Sequence, residues 1–262
     1  MVAGLEFSAG GGSVGVARMT FSRPEKHNAI SYDMWAAVPG IVEAVESDPA
    51  VKVLLLTGAG ENFSAGADVA EFQRLRADPA AAARYDEAVL AAVRALAGMA
   101  KPTVAVIRGN CIGGGCQLSV ACDLRFAADG ARFGITPAKL GIVYDFESTR
   151  QLVALLGPAH ARYLLLSGEL LGAGRAREIG LVNDVFPAEE LEPAVDRFTA
   201  TLTSRSQSSL RGMNRIIGKI TRGQQSPDDE VHKIRLDALT GEDYAEGVAA
   251  FLGRRPARFT YR

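Results

Sequence analysis

KPTVAVIRGNCIGGGCQLSVACDLRFA, residues 101–127, decides the fold. Residues 103–107 are apolar and β-branched and predict a short buried strand. Gly109 and Asn110 break it, and Cys111-Ile112 leads into Gly113-Gly114-Gly115. Residues 117–121 then predict the first turns of an apolar helix, and 124–128 another strand. The unit is strand, glycine turn, buried helix, strand. The first N–H groups of a helix have no internal partner and sit at its positive end. Without Cβ atoms, glycines there let another group approach the backbone closely. Such a turn suits a phosphate, a carboxylate or a developing oxyanion. A tight turn packed against a neighbour explains the same glycines equally well.

A second stretch shifts that balance. Residues 51–57, VKVLLLT, predict a buried strand, followed by Gly58-Ala59-Gly60 and then Asn62-Phe63-Ser64-Ala65-Gly66-Ala67-Asp68, with a helix expected from Asp68. Two turns of this kind can aim two backbone N–H groups at one oxygen. FSAGAD followed by KPTVAVIRGNCIGGGCQLSVACDL resembles the crotonase superfamily, the enoyl-CoA hydratase/isomerase family. The resemblance runs from Arg23-Pro24-Glu25-Lys26-His27-Asn28-Ala29 to Phe251. It implies that the N–H groups holding the thioester oxygen are those of Ala67 and Gly114. It also implies an α/β fold, a spiral of repeated strand–strand–helix turns. Residues 1–190 would form that core with its acyl-CoA site, and 191–262 a helical region that builds homotrimers or dimers of trimers.

Size and charge fit this reading. A chain of 262 residues suits one large domain with a C-terminal appendage. It is 48% hydrophobic and 23% charged, an ordinary globular balance. A net charge of −1 gives no electrostatic case for nucleic acid or an anionic membrane. The first residues, MVAGLEFSAGGG, lack the charged and apolar regions of a secretory leader. No apolar run reaches the roughly 20 residues of a membrane span. Cys111, Cys116 and Cys122 match no zinc spacing and read as small buried hydrophobes in a reducing cytoplasm. His27, His160 and His232 fall in no metal or triad motif. No metal and no separate cofactor is expected; coenzyme A enters as part of the substrate.

Along the chain, 5–7 and 14–19 predict strands around a glycine turn. Gly10, Gly12 and Gly15 spell G-x-G-x-x-G, but a strand pattern follows where a dinucleotide site needs a helix, so this is a hairpin. Ser31 reads as the N-cap of a helix carrying Trp35, Val38, Ile41, Val42 and Val45, with an interruption expected at Pro39. A short helix carries Val69, Phe72 and Leu75. An alanine-rich segment separates it from a longer helix ending near Leu96. Residues 133–146 read as a loop, and 158–167 as a helix. A small helix at 173–179 precedes the last core strand. From about 189 the pattern is helical: 191–202, 209–220, 227–239 and 242–251. The resemblance places Lys26, Ala65, Asp68 and Arg254 at the coenzyme A part of the ligand. Solvated surface lysine and arginine remain the competing reading for Lys26 and Arg254.

The chain departs from the hydratases where they do their chemistry. Two carboxylates suit hydration, since they hold one water and exchange roles as acid and base. The hydratases carry one glutamate in G-G-G-C-E and one in F-G-x-P-E. Here Gln117 takes the first place and Pro137 the second, or Ala138 if the prolines are matched. Gln117 can position a water but cannot accept its proton at neutral pH. The run 133–144 resembles the methylmalonyl-CoA decarboxylase branch, in which the tyrosine matching Tyr144 contacts a substrate carboxylate. That branch has histidine at the Ala67 position and keeps glutamate at the Gln117 position. Asp145 falls where 4-chlorobenzoyl-CoA dehalogenases carry a nucleophilic aspartate, near the base of some isomerases. A surface pair of Asp145 or Glu147 with Arg150 is the competing reading. The expectation is an acyl-CoA enzyme that stabilises an enolate at Ala67 and Gly114, with Gln117, Tyr144 and Asp145 in the site. Decarboxylase- or isomerase-like chemistry is favoured over hydration. A non-catalytic acyl-CoA-binding protein, a hydratase with a non-standard acid and base, and a scaffolding oligomer are the alternatives.

Overall fold

The computed structural model describes residues 2–9, 14–75 and 78–260. The chain opens with an antiparallel pair, β1 (Leu5–Ala9) and β2 (Val16–Phe21). The turn residues Gly10 to Ser13 of the expected hairpin lie outside the described residues. Then come α1 (Tyr32–Ser47), β3 (Val53–Gly58), the single turn α2 (Phe72–Leu75) and the long α3 (Pro79–Ala97). The repeating unit follows. β4 (Thr103–Ile107) and β5 (Asn110–Ile112) lead into α4 (Gly114–Ala121). β6 (Leu124–Ala128) and β7 (Arg132–Gly134) lead into α5 (Phe146–Ser167). β8 (Leu171–Gly172), α6 (Ala173–Glu178) and β9 (Asp184–Phe186) close the spiral. Four helices complete the chain: α7 (Leu191–Thr203), α8 (Gln207–Thr221), α9 (Asp229–Thr240) and α10 (Glu242–Leu252).

One sheet has the order β1-β2-β3-β4-β6-β9, parallel from β2 onward; the other has the order β5-β7-β8. From β4 onward the spiral adds a strand to each sheet in turn, β4 and β5, then β6 and β7, then β8 and β9, in keeping with the expected strand–strand–helix repeat. A parallel strand covered on both faces reads as a continuous apolar run, and β3 shows why. Leu54 and Leu56 enter the main core with Trp35, Val38 and Leu118. Val53 and Leu55 face the other way, against Val104, Val106, Phe126 and the α7 residues Leu191 and Val195. The first of the four C-terminal helices therefore covers the sheet itself.

Three boundaries differ from the sequence reading. Helix α1 runs through Pro39 without interruption. An interior proline costs about 3 kcal/mol, and burial of Met34, Trp35, Val38, Val42 and Val45 outweighs it. Lys101, wholly buried, closes that helix by donating from Nζ to the carbonyls of Val45 (2.5 Å) and Asp48 (2.7 Å). The alanine-rich segment belongs to α3, whose Pro79 sits in the first turn behind the N-cap Asp78. Helix α5 starts at Phe146, twelve residues before Pro158, and is broken at Gly157. The expected loop at 133–146 is therefore shorter at its end, and Asp145 becomes a helix N-cap.

Candidate active site

The turn at 62–68 is pinned residue by residue. Phe63 N donates to Arg108 O (2.7 Å), Ser64 N to Asn110 O (2.8 Å), Ala65 N to His27 O (2.9 Å) and Asp68 N to Ile30 O (2.9 Å). Gly66 N donates to Ser64 Oγ (3.1 Å), and Ser64 Oγ donates to Asn28 O (2.8 Å). Between Gly66 and Asp68, the Ala67 N–H has no acceptor among the described residues. The opposing turn repeats the pattern. Ile112 N bonds Ser64 O (2.9 Å) and Gly113 N bonds Gly134 O (2.8 Å), while Gly114 N, the first of α4, has no described acceptor. Gly66 has φ 102°, so it favours glycine, and a Cβ there would lie 2.9 Å from Ile112 O. A Cβ on Gly114 would come within 2.7 Å of Trp35 Cζ2 and 3.4 Å of Ala67 N. Two donors therefore converge beside a gap that only glycine leaves open.

Buried charge holds these turns. Asp68 accepts from Arg23 (2.8 Å) and Lys26 (3.1 Å). Burial works to raise the Asp68 carboxyl, but the two cations prevail and hold it below its usual range. Arg125, 3% exposed, donates to the carbonyls of Ser119 (3.0 Å), Cys122 (2.6 Å) and Leu181 (2.8 Å), fixing the end of α4. The three cysteines are free and buried, and burial pushes the Cys122 thiol up to about 12.

The facing wall is made of side chains. Gln117, on α4 and 6% exposed, donates from Nε2 to Asp145 Oδ2 (3.0 Å) and to Ser148 Oγ (2.7 Å). Asp145 Oδ1 caps α5 by accepting from Ser148 N (2.8 Å). Burial pushes the Tyr144 phenol well above the usual tyrosine value. The alternative surface pairing holds only for Glu147, which meets Arg94 at 2.8 Å and Arg150 at 4.0 Å. Sequence reasoning missed Ser148. The available signal was an aspartate N-cap three residues before it, with Glu147 in the first turn.

Between the walls lies a cavity of about 290 Å³. Ala65, Ala67, Gly114, Gln117, Tyr144 and Asp145 all line it, with apolar cover from Trp35, Phe72, Tyr85, Val89 and Ile142. Pro137 lines it too and brings no acid. Asp86 brings a further carboxylate, and no described lining residue is cationic. Lys26, Asp68 and Arg254 are not among the lining residues. Lys26 stays half-exposed beside Asp68, and Arg254 follows α10 in a left-handed conformation. No group of three or more His, Cys, Asp or Glu side chains that could hold a metal ion occurs among the described residues. No helix among them is long and apolar enough to cross a membrane.

Two peptide donors above an apolar cavity, on a spiral of strand–strand–helix turns, define a crotonase-fold site for an acyl thioester. The family model for enoyl-CoA hydratase/isomerase matches residues 11–262, and the chain belongs to that family. A crotonyl-CoA hydratase of Syntrophomonas wolfei is 36% identical over 249 residues, 93% of this chain and 94% of that protein. A peroxisomal Δ(3,5)-Δ(2,4)-dienoyl-CoA isomerase of Arabidopsis thaliana is 28% identical over 256 residues, 93% of this chain and 92% of its own. The crystal structure of an enoyl-CoA hydratase/isomerase family protein from Hyphomonas neptunium superposes with a TM-score of 0.94 at 36% identity, covering 99% of this chain and 98% of the other.

Proposed function

We propose that this crotonase-family enzyme moves a proton along the acyl chain of a coenzyme A thioester, an isomerase-type reaction through an enolate. The observation that carries this is the Asp145 carboxylate, held on the cavity wall by the Ser148 N–H and the Gln117 amide. In the reaction Asp145 takes a hydrogen from the carbon flanking the double bond. The electron pair runs to the thioester oxygen, where the Ala67 and Gly114 N–H groups receive the charge. The Asp145 acid then returns the proton at the other end of the three-carbon unit. One carboxylate suffices for this; two are the usual need of hydration. A malonyl-type substrate fits less well, because its carboxylate would meet the Asp145 carboxylate with no described cation on the lining.

Hydration is the second reading, favoured by the hydratase relative and by the presence of two carboxylates, Asp86 and Asp145, on one cavity. The test is turnover of a 3-enoyl-CoA against crotonyl-CoA, followed by mass spectrometry in deuterated water. Isomerisation that falls about 100-fold or more in Asp145→Asn supports the proposal. Faster hydration of crotonyl-CoA overturns it. Binding without turnover of either ester points to an acyl-CoA binder.

Lys26, Ala65, Asp68 and Arg254 are proposed for the coenzyme A end, the two basic residues toward phosphates. We further propose a division at 190/191, with the helical part meeting neighbouring copies in a homotrimer or a dimer of trimers. The support is a groove of about 840 Å³ between α8, α9 and α10, flanked by exposed Leu239, Tyr244, Phe251 and Leu252. Sedimentation at equilibrium checks this directly. The free buried thiols suit the reducing cytoplasm.

A further inference from the structure

The chemistry around Ser148 fixes what Gln117 can offer to a ligand. An ionised carboxylate only accepts hydrogen bonds, so the Gln117 atom 3.0 Å from Asp145 Oδ2 is the amide nitrogen. That nitrogen carries two hydrogens, and the second goes to Ser148 Oγ at 2.7 Å. The Ser148 hydroxyl, having accepted from Gln117, has its own hydrogen to give. The bonds therefore have a direction, with Gln117, on the cavity wall, donating to both Asp145 and Ser148. Ser148 is the third residue of α5, 3% exposed, with its own N–H capped by Asp145. Its hydroxyl is thus placed by a helix, not by a loop.

We propose that Ser148 is a positioning residue for this site. With Asp145 it occupies both Gln117 amide hydrogens, so that residue 117 presents only an acceptor oxygen and the Asp145 carboxylate keeps one orientation. The catalytic consequence rests on the reading of Asp145 given above; the hydrogen-bond assignment does not. A glutamate at 117 would bring a second negative charge against Asp145. Glutamine brings a donor instead, and Ser148 prevents the amide from turning over.

The test uses the intact protein labelled with ¹⁵N, in which the Gln117 side-chain amide signals are identified by their absence from Gln117→Glu. In the native protein both hydrogens should exchange with water about 100-fold more slowly than those of exposed glutamines. In Ser148→Ala one hydrogen should lose that protection while the hydrogen on Asp145 keeps it; Ser148→Thr, which retains the hydroxyl, should keep both. On a 3-enoyl-CoA, Ser148→Ala should lower kcat about 10-fold with KM within about 2-fold, and Ser148→Thr should recover most of the loss. Native protein in which only one Gln117 hydrogen is protected overturns the proposal without any variant. So does a folded Ser148→Ala with unchanged amide exchange and unchanged kcat. Two protected hydrogens in a protein that does not isomerise the ester would contradict the proposed proton transfer and support the Ser148 assignment.

Discussion

The two walls of the cavity are made of different material. One is backbone: the Ala67 and Gly114 N–H groups, set by hydrogen bonds that neighbouring N–H groups donate to the carbonyls of Ile30, Ser64, Asn110 and Gly134. The other is side chain: Gln117 from α4, Asp145 and Ser148 from the start of α5, and Tyr144 just before it. A backbone donor is indifferent to which residue carries it, provided nothing fills the gap. A side-chain acid or base is replaced by a single codon. In the proposed function the first wall carries what the family shares and the second carries the choice of reaction.

That contrast is broken most severely at Asp145. Asp145→Asn keeps an oxygen for the α5 cap but cannot take a proton, and isomerisation should fall about 10³-fold while folding is unchanged, read by steady-state kinetics beside thermal melting. Gly114→Ala attacks the other wall. Its methyl meets Trp35 and shifts the hole, and kcat should fall about 10²-fold, as for loss of one oxyanion donor. Binding of a saturated acyl-CoA should change far less, since a ground-state thioester uses the hole weakly.

Smaller changes sharpen the comparison. Asp68→Asn should destabilise the fold by about 2 kcal/mol, less than the usual cost of breaking a fully buried pair because Lys26 is half-exposed. The sign with pH follows from its lowered carboxyl. The ion pairs contribute their full stability above about pH 4, where an unfolded aspartate is ionised, and that stability is lost as pH falls through the lower folded value. Urea melts between neutral and acid pH should therefore converge for the native protein and Asp68→Asn at the acid end. Tyr144→Phe should have the smallest effect, at most about 1 kcal/mol in the transition state or roughly 5-fold in kcat, from removing one hydroxyl from the cavity wall. Because burial holds the phenol neutral past its usual value, that loss should be constant from about pH 6 to pH 9.

The same division explains what the sequence made legible. Strands β3 and β4 are nearly continuous apolar runs because both of their faces are buried, and the glycine turns announce themselves by composition. The family resemblance those turns carry therefore pointed to Ala67 and Gly114. Helix α5 could not be placed. Its first residue, Phe146, is 84% exposed, so no apolar period marks its opening turn, and Pro158 looked like the start. The pairing of Gln117 with Asp145 joins positions 28 residues apart and depends on how α4 and α5 pack. Pro39 misled for the converse reason: a local penalty was judged without the buried face that outweighs it.

The measurement that bears most directly on the account is exchange of the α-hydrogens of a saturated short-chain acyl-CoA in deuterated water, with native protein, Gly114→Ala and Asp145→Asn side by side. A saturated chain cannot be hydrated or isomerised, so only removal of a proton and stabilisation of the enolate are read. The account predicts exchange by the native protein and its loss in both variants, one from each wall. Exchange that survives intact in Asp145→Asn, or a native protein that binds the thioester and exchanges nothing, would contradict it.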